Sequence, residues 1–202
     1  MTGEDMPKGT KWSNLIKEYN LTSLIGKLLV PGMSQNDVIL ECVILAGQMC
    51  VDEKSSTMIA SSSLIRALHE LWQDKGDDSE IVLQLLTAFH KMLHFSETRE
   101  ELLYSTEAMA DISDCVGSKH RATRAVADKC LDMILEIDRN EDGELGELGA
   151  QVRKRRYLAH ITRNGLKLFV LTAELTEFTV ILQETAVMIQ TSWGVTLKIN
   201  SK

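Results

Sequence analysis

Proline is almost missing from the 202 residues: there are two, Pro7 and Pro31, both before Val38. Nothing later therefore interrupts a helix, since proline removes an amide donor and clashes with the preceding turn. Positive charge is also short, with a formal net charge of −7 and a pI near 5.3. That balance argues against nucleic acid as a partner, because phosphate binding needs positive potential over a patch. Cys42, Cys50, Cys115 and Cys130 lack CxxC spacing and lie in apolar stretches. They are expected to be free thiols, which suggests a reducing compartment, the cytosol by default. Residues 1–11 have no apolar centre and so do not form a signal peptide. A glycosylation acceptor at Asn20 therefore means little.

Chemistry is scarce as well. No Gly-rich phosphate loop, GxSxG elbow or Cys/His dyad with a definable orienting carboxylate is present, so no catalytic role and no cofactor is expected. His90 and His94 stand four apart on one helical face, the spacing of a two-histidine zinc site. Lys91 follows His90 where a metalloprotease has Glu, and no third ligand is predictable, so packing histidines are the better reading. Asp77 and Asp78 suit helix capping better than acid/base work.

What is present is helical periodicity. In the stretch from Asp78 to Phe95, Ile81, Val82, Leu85, Leu86, Ala88, Phe89, Met92 and Leu93 recur at three- and four-residue steps. Glu80, Gln84, Thr87 and Lys91 form one narrow polar stripe. Such a helix must be covered on at least two sides, and here only other helices can do it. The same pattern of short, short and long helices is read three times. The first pass runs from Trp12, with Ser13 as a possible cap, through 20–29 to a long helix that Asn36 or Asp37 can cap and that ends near Cys50. The second joins 52–60 and 63–72 to the Asp78 helix, and the third takes 97–104, 107–116 and 121–137. Leu21, Leu64 and Ala108 are 43 and 44 residues apart, and Ile39, Ile81 and Thr123 are 42 and 42 apart. A period near forty with two or three helices is the signature of armadillo or HEAT arrays. The expected fold is all-α: an armadillo-type right-handed superhelical solenoid of about three repeats with a divergent C-terminal segment.

In such arrays the long third helices line a binding groove. The central unit offers it Glu80, Gln84, Thr87 and Lys91. A 42-residue offset assigns Val38, Cys42, Leu45 and Met49 to the first unit, and Ala122, Val126, Lys129 and Met133 to the third. The first-unit residues read equally well as core. Two later features need weighing. Asp138, Asn140 and Asp142, with Gly143 and Leu145, match the first positions of an EF-hand loop, but Gly149 stands where a bidentate Glu is needed. An acidic linker is the stronger reading, a calcium-responsive module the alternative. The basic run Arg153 to Arg156 is read as a solvated helix face. Between Leu166 and Ile189 an apolar stripe suggests an amphipathic end-capping helix, with strand or disorder left open. Lys167, Glu174, Glu177 and Glu184 rule out membrane insertion there.

Four segments carry a family resemblance: NLIKEYNLTSLIGKLLVPG, NDVILECVILAGQM, DSEIVLQLLTAFHKMLHFSETREEL and RAVADKCLDMILEID. Spanning Trp12 to Asp138 in order, they resemble the C-terminal armadillo repeats of kinesin-associated protein, the non-motor subunit of heterotrimeric kinesin-II. The resemblance implies an adaptor that joins motor subunits to cargo, intraflagellar transport proteins included, in the cytoplasm, on the microtubule cytoskeleton and in the cilium. A generic armadillo peptide-binding scaffold is the other alternative. The expected layout is a disordered leader (1–11), armadillo repeats (12–137), an acidic linker (138–150), and a basic helix with a divergent tail (151–202).

Overall fold

Helix boundaries follow local chemistry. The computed structural model describes residues 11–138 and 146–163; the leader up to residue 10, Asn140 and Asp142, and everything after Arg163 lie outside the described residues. By contact the chain divides into two units, Met1–His160 and Ile161–Lys202, and every helix up to residue 137 lies wholly in the first. Ten α-helices and no strand occur among the described residues.

Helix α1 (Trp12–Tyr19) ends at Asn20, the one non-glycine residue among those described with positive φ (48°), which also starts α2 (Leu21–Leu28). Asparagine tolerates this left-handed conformation, so a single residue turns the chain between the two helices. Pro31 and Gly32, the latter at φ 81°, then lead to α3 (Asn36–Met49). Ser13 is not the cap of α1: Lys11 holds that position, and Ser13 is buried with its hydroxyl unpartnered. Likewise Gln35, not Asn36 or Asp37, is the cap residue of α3. In the next unit Asp52 and Ser55 form a reciprocal capping box at α4 (Glu53–Ala60). Helix α5 (Leu64–Lys75) comes after it. Asp78 then accepts from the amides of Glu80 and Ile81 to start α6 (Ser79–Met92), the capping role expected of it. The third unit is α7 (Ser96–Tyr104), α8 (Ala108–Asp114) with a 3-10 turn to Gly117, and α9 (Arg121–Ile137). Helix α10 (Glu147–Arg163) comes last. It starts before the expected linker ends at 150.

Packing repeats like the sequence. Each helix packs on its counterpart one unit along: α3 on α6 on α9, α1 on α4 on α7, and α2 on α5. This is the stacking of an armadillo-like helical solenoid, in which no unit covers its own apolar face. Eight apolar residues from Ile81 to Leu93 are buried, each at most 6% exposed, while Leu83 is half-buried. Trp72 and Phe89 stack with ring centroids 5.7 Å apart and planes 7° from parallel. Where α3 meets α6, a Cβ built on Gly47 would stand 3.1 Å from both Cα and Cβ of Ala88, so glycine sets the helix separation. One unit further along, α5 reaches α8 through His69 and Gln73, whose nitrogens lie 2.9 and 2.8 Å from one Asp111 oxygen.

All four cysteines are free; Cys42, Cys50 and Cys130 are buried and Cys115 is half-buried. Cys50 ties unit ends together, its sulfur 3.2 Å from Ser56 Oγ and 3.9 Å from Thr98 Oγ1. Thr98 in turn donates to the Met92 carbonyl at 2.6 Å, satisfying an acceptor that the end of α6 leaves open.

Candidate functional site: the wall of long helices

Helices α3, α6 and α9 lie in a row, α3 on α6 and α6 on α9, and the half-buried and exposed arc of each is here called the wall. On α6 that arc holds Glu80, exposed, and Gln84, Thr87 and Lys91, half-buried. Thr87 Oγ1 donates to Leu83 O at 2.8 Å, a bond within its own helix that leaves a lone pair outward. The wall therefore presents a carboxylate, an amide, a hydroxyl and an ammonium in succession. These groups can pair with backbone and charged groups of an extended or helical peptide.

The register between α6 and α9 is 42 residues, Ser79 matching Arg121, and the buried residues Ile81, Leu85, Ala88, Phe89 and Met92 match the buried residues Thr123, Ala127, Cys130, Leu131 and Ile134. Lys129 is exposed at the position matching Thr87, with Ala122 exposed and Val126 and Met133 half-buried beside it. The first unit departs from expectation. Asn36–Met49 and Ser79–Met92 begin and end 43 residues apart, so the wall residues of α3 are Asp37, Glu41, Ile44 and Gln48. Cys42 and Met49 are core, 7% and 0% exposed. The slip has a simple origin. Val38, Ile39 and Leu40 form an apolar run, so Ile81 and Val82 match Ile39 and Leu40 at 42 residues as well as they match Val38 and Ile39 at 43.

His90 and His94 do lie together, with ring centroids 5.2 Å apart in an edge-to-face arrangement. Burial lowers the pKa of His90, and the charges of His94 and Lys129 lower it further. Among the described residues no group of three His, Cys, Asp or Glu side chains could hold a metal ion. No helix among them is long and apolar enough to cross a membrane.

A family model described as kinesin-associated protein matches residues 6–148, more than half of the chain. The chain belongs to the kinesin-associated protein family. This is a kinesin-associated adaptor family, and the match takes in all three triplets and therefore every wall residue named above. No solved structure matches the chain.

The family match ends in the first turn of α10, where Asp138 has a structural task. Its Oδ2 accepts from the Gly149 amide at 2.6 Å, and its backbone carbonyl accepts from Gly146 at 3.3 Å. The carboxylate thus serves the open amides at the start of α10, as an N-cap side chain does from within the chain. Gly146 permits this approach, since a Cβ there would meet both carboxylate oxygens at 3.0 Å. This engagement, which sequence spacing does not reveal, gives Asp138 a part in starting α10.

Arg156 is a second residue that sequence reasoning misses. Its place in a basic run groups it with solvated charges, yet its guanidinium bridges to α9, bonding Asp132 and lying 2.9 Å from Asp128. The two acids stand four apart, one helical turn, and that spacing is the available signal. With Val152 fully buried, the bridge anchors α10 on the last long helix.

Proposed function

We propose that this chain is the distal armadillo part of the non-catalytic adaptor subunit of heterotrimeric kinesin-II, holding the paired motor chains to cargo. The family match over residues 6–148 carries this reading. The physical support is the wall: three long helices bury their apolar arcs in one another and leave an open arc, polar on α6, for a partner. We further assign the cargo to the intraflagellar transport class and the working location to cytoplasmic and ciliary microtubules. On this reading the adaptor has no chemistry of its own and works by pairing a stretch of partner chain along Glu80, Gln84, Thr87, Lys91 and Lys129.

The test is co-purification of the folded chain with the paired tails of the kinesin-II motor subunits, and separately with intraflagellar transport proteins. Capture of either at micromolar concentration is expected. If the chain is helical by circular dichroism and captures neither, the reading falls.

A further inference from the structure

The wall changes sign along its length. Asp37 and Glu41 on α3 and Glu80 in the first turn of α6 are exposed acids at one end. Towards the other end stand Lys91, half-buried near the end of α6, and Lys129, exposed on α9. Neither lysine pairs with a carboxylate among the described residues, whereas Arg66 and Arg156 do. The edge-to-face histidines share this neighbourhood: His94 and Lys129 both act electrostatically on His90, which puts all three within one local field.

Stabilising the end of α6 accounts for part of this cluster. Lys91 lies in the last turn, where positive charge complements the helix dipole. Lys129 is different, because it stands in the middle of α9. The nearby acids of that helix, Asp128 and Asp132, are already engaged by Arg156. In a chain of net charge −7, an uncompensated cationic cluster beside an exposed polar arc reverses the local field and selects anionic partners.

We propose that His90, Lys91 and His94 on α6, with Lys129 on α9, seat a carboxylate-rich segment of a protein partner lying across the wall. The Lys91 and Lys129 ammonium groups supply the charge, and Gln84 and Thr87 offer hydrogen bonds to its backbone. The inference rests on the wall being the partner-binding surface and adds the chemistry of what binds there.

The test is fluorescence anisotropy with a labelled octapeptide of glutamate, against an octapeptide of lysine and a Gly-Ser control. The glutamate peptide is expected to bind the wild-type chain at low salt, to weaken at high salt as screening requires, and to exceed both controls. The double reversal K91E/K129E should weaken binding by roughly tenfold or more, while K91R/K129R retains it. Both variants should keep the wild-type circular dichroism, since neither lysine is part of the core. No binding of the glutamate peptide, or binding equal in wild type and K91E/K129E, overturns the proposal. The adaptor reading fails separately: a glutamate peptide that binds while motor tails and transport proteins do not defeats that reading alone. Tails captured equally well by K91E/K129E, with no glutamate-peptide binding, defeat this one alone.

Discussion

Two helical glycines are predicted to respond differently to the same substitution. Gly26 in α2 and Gly47 in α3 both sit inside helices, where alanine is favoured over glycine by about 1 kcal/mol. A Cβ at Gly26 meets nothing within 4 Å, so Gly26→Ala should collect most of that gain. At Gly47 the same Cβ would stand 3.1 Å from the Cα and Cβ of Ala88, on the backbone of a neighbouring helix rather than a flexible side chain. Carbon atoms prefer about 3.5–4.0 Å, so α3 and α6 would have to part by roughly half an ångström along the most extensive contact of the array. Overpacking of this kind costs about 1–3 kcal/mol. Against the propensity gain, Gly47→Ala should come out neutral to about 2 kcal/mol destabilising, and Gly47→Leu clearly worse. Thermal unfolding of the three variants reads this directly, with each kcal/mol moving the midpoint by about 2–4 °C for a chain of this size. Gly47→Ala stabilising as much as Gly26→Ala would refute the close approach of α3 to α6.

Other outcomes rest on single contacts. Phe89 is fully buried and stacked on Trp72, so Phe89→Ala should cost about 3–5 kcal/mol in urea unfolding; a loss below about 1 kcal/mol would contradict the packing. Asp138→Ala removes the acceptor of the Gly149 amide and should cost about 1 kcal/mol, seen as faster hydrogen exchange confined to the first turn of α10. Uniform faster exchange across the array would point to another role. Burial raises the Cys115 and Cys130 thiols to about 12, and raises Cys42 and Cys50 as well. At pH 8 a thiol with pKa about 12 is ionised in about one molecule in ten thousand. Iodoacetamide should therefore label the folded chain slowly at all four positions and rapidly only after unfolding.

Periodicity makes the architecture legible, and ambiguity between apolar neighbours hides its register. The long helices show themselves because eight buried positions recur on α6 with one polar stripe between them, a pattern only a helix covered on several sides produces. Asp78 can be recognised as a cap because its task is local, two amides within three residues. Asp138 cannot, since its Gly149 partner lies eleven residues away, beyond a loop whose acids suggest a cation instead. Arg156 is obscured in the same way: its partners lie 24 and 28 residues back, on a different helix. The one-residue slip on α3 arises because matching apolar to apolar leaves two registers open, and only the observed helix bounds, Asn36–Met49 against Ser79–Met92, close the choice. Of the central stripe, Glu80, Gln84, Thr87 and Lys91 are visible from sequence because polar residues on a mostly buried helix must all share the one arc left open.

That same arc explains how a stacked array can hold one fold and vary what it binds. Glu80, Gln84 and Lys129 form no side-chain hydrogen bond or ion pair among the described residues, and Thr87 bonds only within its own helix. Stability resides in the opposite arc, where Leu85, Leu86, Phe89 and Met92 are fully buried. Replacing a wall residue by another polar one should therefore change stability by only a few tenths of a kcal/mol, while a change at Phe89 removes several. The two sets of residues alternate along one helix yet answer to separate constraints. The core arc must match the neighbouring unit, and the wall arc is free to match the partner. A charge gradient from Asp37 to Lys129 is costly to no packing contact, so its arrangement is left to be set by what lies against it.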